Sequence, residues 1–195
     1  MQYDVWAVTP GSDDDYFFAS GTASGTLSLL ANDVGLNGTG YQLSITSSGA
    51  DANKTFTVSG VKVGAVGYDG VVTEVVTGPS AGVVYSTNYY TRINSVAISA
   101  TSTGNIKLGY GGDLAFPRTR IKGVYFVTNG ATGSVNFIAK PSNKVLLTMA
   151  TPSGVVSQDM VIPGEGILTT KGGSGSTDFA ILSTSSVISV TVICG

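Results

Sequence analysis

Residues 55–76 read TFTVSGVKVGAVGYDGVVTEVV. Valine recurs at every second position over much of this stretch, the period of a β-strand. Asp69-Gly70 tolerates positive φ at both positions, which a type I′ hairpin turn requires. The stretch therefore reads as two strands, Val61–Gly67 and Val71–Thr77, joined by that pair. In the second strand Val71, Thr73 and Val75 share one face, and Val72, Glu74 and Val76 share the other. An antiparallel strand with one solvated face should be polar on that face. This one is apolar on both faces and carries a single carboxylate. Something must cover its second face.

The composition fits such covered sheets. The chain has 195 residues, of which 27 are Gly, and only 11% are charged. Ordinary globular chains carry about 25% charged residues. Valine, isoleucine and threonine, whose branched side chains suit a pleated surface, are abundant. Apolar content of 42% is too high for a disordered chain. The net charge of −2 leaves no basic excess for phosphates, so nucleic acid is not an expected partner. MQYDVWAVTP lacks the basic start of a signal peptide, and no run of about 18 uncharged apolar residues predicts a membrane span. Cys194 is the one cysteine, which rules out an intrachain disulfide and is expected as a buried small side chain.

The fold class follows from alternation and turn spacing. Val135, Phe137 and Ala139 form one inward set, and Ile188, Val190 and Val192 form another. Asn129-Gly130 predicts a second I′ hairpin, between Val124–Thr128 and Val135–Ala139. Val83–Thr103 reads as two strands, and no window reads as a helix. These patterns predict an all-β chain of antiparallel β-sandwich or jelly-roll-like modules with essentially no helix. GYGGDLAFP, 109–117, has linker chemistry. The expected organisation is a strand and arm or loop at 1–23, one sandwich at 24–112 and another at 113–195.

Chemistry is scarce. The absence of histidine removes Ser-His-Asp triads and the commonest general base. GPSAG, 78–82, matches the esterase elbow formally, but VVYSTNYY follows where that motif needs a helix. Lys171-Gly-Gly-Ser-Gly175 lacks the lysine and helix that should follow a phosphate loop. Asp13-Asp14-Asp15 offers hard oxygen ligands, yet neighbours in an extended chain point apart, so a solvated loop is expected. No catalytic residue, metal ligand or cofactor is predicted.

What remains is surface. Arg118, Arg120 and Lys122 alternate onto one strand face; such charges guard an edge or meet an acidic subunit. Tyr125 and Val127 oppose Val124 and Phe126, another two-sided strand. Trp6, Tyr16, Phe17 and Phe18 are candidates for an arm docking on a neighbour, or for the chain's own core. With Val72 and Val76 as the expected covered outer face, these residues predict a homo-oligomer.

The segments Thr46–Gly60, Thr73–Gly82 and Ser86–Ser99, with GNIKLGYGG after them, resemble a recurrent segment of tailed-phage virion proteins, of marine and cyanobacterial phage type. The C-terminal half, from IKGVYFVTNG to SVISVTVICG, is similar to small sandwich modules of phage decoration and tail proteins. The resemblance covers roughly residues 40–195 and transfers no functional residues. It implies a non-enzymatic virion structural protein, made in the host cytoplasm. The leading expectation is a capsid decoration or cement protein, trimeric, seated on the major capsid protein. A tail or neck ring, collar or fibre-attachment subunit is the alternative. A carbohydrate-binding receptor protein is a third reading, weakened by the single Trp6.

Overall fold

The computed structural model describes residues 4–8, 12–33, 39–64, 70–117, 119–140, 142–169 and 179–195, with the backbone alone at 4–8 and 112. The fold is all-β, antiparallel and sandwich-like, with essentially no helix among the described residues. The strands are β1 (Asp4–Val8), β2 (Asp13–Thr22), β3 (Gly25–Thr26), β4 (Gly40–Ala50), β5 (Thr55–Lys62), β6 (Val71–Thr77) and β7 (Ser80–Ile98). There follow β8 (Asn105–Phe116), β9 (Arg120–Thr128), β10 (Gly133–Lys140), β11 (Lys144–Thr151) and β12 (Ser157–Val161). The last three are β13 (Ile167–Leu168), β14 (Phe179–Ser185) and β15 (Val187–Cys194). The chain divides into two compact units, Ser12–Gly111 and Met1–Gly11 with Gly112–Gly195. The residues expected as a separate arm at 1–23 are thus shared between the two, and 13–22 form strand β2.

In the unit Ser12–Gly111 the strand order is β8-β4-β7-β5-β6, with β2 beside β8 and β3 beside β7. Alternate residues of these strands build one core. Leu43 and Ile45 come from β4, Phe56 and Val58 from β5, Val96 and Ile98 from β7, and Ile106 and Leu108 from β8. Phe17 of β2 completes it, 1% exposed. Burying each such side chain stabilises the fold by about 1.5–3 kcal/mol. Val83–Thr103 does not break into the two expected strands. Most of it belongs to the one long strand β7, which pairs with β4 through its first half and with β5 through its second.

In the other unit one sheet has the order β1-β15-β9-β12, with β13 also on β9. A second group has β11 beside β10, β10 beside β14, and β14 beside the C-terminal end of β8. Val124, Phe126, Val190 and Val192 of the first group are buried, as are Val135, Phe137 and Leu182 of the second. The rings of Phe116 and Phe137 lie 5.9 Å apart between centroids.

Both expected hairpin turns are corrected by the registers. β5 and β6 pair as a hairpin, but Val61 faces Val71. Residues 62–70 separate that pair, whereas a turn at Asp69-Gly70 would set Tyr68 opposite Val71; Asp69 itself lies outside the described residues. Asn129-Gly130 closes no hairpin either, because β9 pairs with β12, β13 and β15 while β10 pairs with β11 and β14. The positive φ of Gly130, 81°, instead carries the chain from one sheet to another. The glycines of 109–117 are strand residues of β8 rather than a linker. A side chain on Gly109 would meet the backbone of Asp13 and Asp14 at 2.6 Å, so close strand passage, not flexibility, requires glycine there.

A second close passage is testable. A Cβ on Gly49 would stand 2.6 Å from the Gly104 nitrogen. Gly49→Ala should lose about 1–3 kcal/mol in urea unfolding, the usual penalty of overpacking. Gly82→Ala, where a Cβ meets nothing within 4 Å, should change stability by no more than about 0.5 kcal/mol. Equal effects at the two sites would show that β4 and the residues before β8 do not meet as described.

Candidate functional site

The surface of each unit carries an outward apolar patch. On β6 the outer residues are Val71 and Val75, 52% and 63% exposed, with Thr73 between them. Val83 and Tyr85 of β7 are exposed as well. Val72 and Val76, expected as the outer face, point inward: Val76 belongs to the core and Val72 packs against it. Of the aromatics left open between a docking arm and the chain's own core, Phe17 is core and Phe18 packs on that core half-buried. The face assignment from alternation was correct, but alternation does not say which face is inside. In the other unit Tyr125 is 45% and Val161 78% exposed. Val127 and Ile193 are half-buried beside them. Register sets Tyr125 beside Thr191 and Asp159, and Gly123 beside Ile193 and Val161. These residues form one face of β12-β9-β15, opposite the buried Val124, Phe126, Val190 and Val192.

Glu74, the lone carboxylate among valines, has a structural task. Between Tyr85 and Tyr89, β7 bulges: Ser44 pairs with Tyr85 and Gln42 with Tyr89, so three residues face the single Leu43. A bulge leaves backbone groups outside the ladder. The Glu74 carboxylate reaches from β6 and accepts the N–H of Thr87 at 2.5 Å and of Asn88 at 3.1 Å. It also accepts from the Asn88 amide at 2.9 Å and the Tyr90 hydroxyl at 3.0 Å. Ser86 Oγ accepts the Leu43 N–H at 2.8 Å and donates to the Asn88 carbonyl at 2.7 Å. Burial alone would raise the Glu74 pKa, but these donors outweigh it and hold the carboxyl below its ordinary value. Burial and the same carboxylate push the Tyr90 hydroxyl well above the usual range.

Asp51 anchors a second polar cluster, which sequence reading missed. Its carboxylate is fully buried and meets Lys54 Nζ at 2.6 Å. It accepts from Ser47 Oγ at 2.6 Å and from the N–H of Thr103 and Gly104 at 2.7 and 3.2 Å. Lys54 also donates to Thr103 Oγ1 at 2.6 Å. Burial opposes the charge, and Lys54 with the other donors overcomes it, holding Asp51 far below an ordinary aspartate. Asp51 and Lys54 stand three apart between two strands, which reads like any solvated turn. The approach of 78–79 and of 103–104, distant in sequence, encloses it.

The charged runs are also engaged within the chain. Lys122 Nζ donates to the Gly164 carbonyl at 2.8 Å, and Arg120 to that of Glu165 at 3.2 Å. The Arg120–Glu165 ion pair, at 3.9 Å, is exposed and contributes little. Arg118 lies outside the described residues, and Trp6 is placed only by its backbone, opposite Val192. Tyr16 donates to the Asp33 carbonyl at 3.2 Å and stacks edge-on against Tyr110, centroids 5.3 Å apart. Tyr110 in turn lies 4.7 Å from Tyr41. Burial, then Tyr110, push the Tyr41 hydroxyl up to about 12. The three aspartates do not point apart as an ideal strand requires. Asp13 pairs with Tyr110 and Phe18 with Leu108, so β2 holds extra residues there, and carboxylate oxygens of Asp13, Asp14 and Asp15 lie within 4.8 Å of one another. Such oxygens could hold a hard cation, and Lys107 already bonds Asp14 at 2.9 Å.

Compared with known proteins, the chain matches no family model, no curated protein and no solved structure.

Two acid-dependent tests follow. Asp51 and Glu74 have folded pKa values below their unfolded ones. Each therefore contributes stability that is complete above about pH 4.5 and is lost as pH falls through the folded value. Urea midpoints should be flat from neutral to weakly acid pH and fall below it, less steeply in Glu74→Gln. That variant should itself lose about 1–3 kcal/mol, since N–H donors of the bulge lose an acceptor. Asp51→Asn should lose about 3–5 kcal/mol, because it strands a buried ammonium. Asp51→Asn paired with Lys54→Met should recover much of that. A single variant as stable as the wild type would remove the buried pair from the account.

Proposed function

We propose that the chain is a non-enzymatic structural protein that works through contacts between copies of itself and with a larger assembly. The carrying observation is the outward face of β12-β9-β15, where Tyr125, Val127, Val161 and Ile193 form an apolar patch bearing Asp159 as its charged neighbour. Exposed apolar patches of this kind mark interaction sites, and a half-exposed tyrosine with aliphatic side chains at neighbouring positions of the face is a typical anchor of binding energy. The second support is the use made of charge. The buried carboxylate of Asp51 and the half-buried one of Glu74 are taken up by backbone N–H groups and their neighbours. The finer reading is a decoration protein of a tailed-phage capsid, most simply a trimer on the major capsid protein. It is supported by the sequence resemblance and by a surface suited to many equivalent, individually weak contacts.

Native mass by light scattering after size exclusion tests this. The wild type is expected as a discrete homo-oligomer built on three copies. Tyr125→Glu should weaken association about tenfold or more with the circular dichroism of the wild type. A monomeric wild type at high concentration would overturn the reading, and so would an oligomer indifferent to Tyr125→Glu and to Val161→Glu.

A further inference from the structure

The exposed edge of β6 is built to pair with a strand. β6 closes the strand order of its unit, and β5 is its one ladder neighbour among the described residues. Its seven residues pair with β5 without a register break from Thr55–Thr77 to Val61–Val71. Natural sheets guard such edges with lysine, proline, bulges or short length. Other terminal strands here carry those devices. β11 starts at Lys144 and its ladder shifts at Phe137/Ile138. β12 has five residues and an exposed Asp159, β13 has two, and the β2 ladder breaks twice. β6, VVTEVVT, has none of them. Its one charge points inward and is bonded to Thr87, Asn88 and Tyr90, so it does not defend the edge.

The sequence of β6 also says what fits beside it. Turned antiparallel on itself and centred on Thr73, the strand sets Val71 opposite Val75 twice, with Thr73 opposite Thr73 between them. Those are its outward residues, and valine and threonine pairs of this kind stabilise antiparallel ladders. The same register sets Glu74 opposite Val72, so the two carboxylates do not face each other. We propose that the β6 edge is a two-fold docking site for a second copy of this chain, which continues the sheet across the symmetry axis through a β6–β6 ladder. The inference rests on the reading above that copies assemble, and it assigns them a second contact. A trimer formed elsewhere on the surface would be joined in pairs through β6, giving six copies; without that trimer the product is a dimer.

Thr73→Cys in the full chain tests the register, because residues opposed across an antiparallel ladder stand within disulfide reach and the native Cys194 is buried. Mild oxidation should give a covalent dimer on a non-reducing gel. Val75→Lys, placed at an exposed position, should halve the native mass, lower the association constant at least tenfold and suppress the cross-link in the double variant. An oligomer whose mass Val75→Lys leaves unchanged, and in which Thr73→Cys does not cross-link, overturns the β6 contact while the assembly reading stands. A wild-type monomer overturns both.

Discussion

The Glu74 carboxylate secures the bulge at the middle of the sheet of the unit Ser12–Gly111. Inside its ladder with β4, β7 sets three residues, Ser86–Asn88, against the single Leu43, and they do not fit the ladder. This bulge leaves N–H groups outside the ladder. A carboxylate arriving from β6, two strands away from β7 in the order, satisfies them. One side chain thus links the edge of the sheet to its middle, and it places the Tyr90 ring in the core at the same time. The valines flanking Glu74 are ordinary strand residues; the carboxylate is the specific one.

The sequence carried the class of fold much better than its connections. Period-2 alternation in Val71–Val76 and Val124–Val127 identified strands and their two faces correctly, because that signal is local. In Ile188–Val192 it held for Val190 and Val192, while Ile188, expected with them, is exposed where the ladder shifts at Val187/Ser189. Turn chemistry misled. Asp69-Gly70 and Asn129-Gly130 both permit a tight reversal, but what a turn permits is decided by which strands find partners far along the chain. The same holds for the aspartates of β2, whose convergence depends on extra residues opposite Tyr110 and Leu108. The Asp51–Lys54 pair was invisible for a related reason. Its burial is imposed by Gly78 and Pro79 and by Thr103 and Gly104, all distant in sequence.

The outer surface was read with mixed success. Tyr125 was expected outside and is outside; Val72 and Val76 were expected outside and are packed within, and Phe17, left open between a docking arm and the core, is core. A strand apolar on both faces gives no sequence signal for its inner side, since both would be acceptable to a core. Glu74 breaks the tie only once its partners are known. The low charge of the chain leaves few side chains to mark solvent, and in their place the fold relies on serine and threonine hydroxyls.

The pairing of β1 with β15 has a kinetic consequence. Asp4 lies opposite Cys194, so β1 is completed by β15, about 180 residues later in the chain. The whole unit Ser12–Gly111 is synthesised in the interval. At translation rates of about 5–20 residues per second, β1 waits roughly ten to forty seconds for its partner. Closing so long a loop makes that ladder a late event of folding. The unit Ser12–Gly111, whose strands pair with one another within one hundred consecutive residues, can be complete by then, before β14 joins the C-terminal end of β8. Nascent chains therefore pass through a stage in which one half is finished while an unpaired strand trails from its N-terminal side, and the ribosome is where that strand most needs shielding.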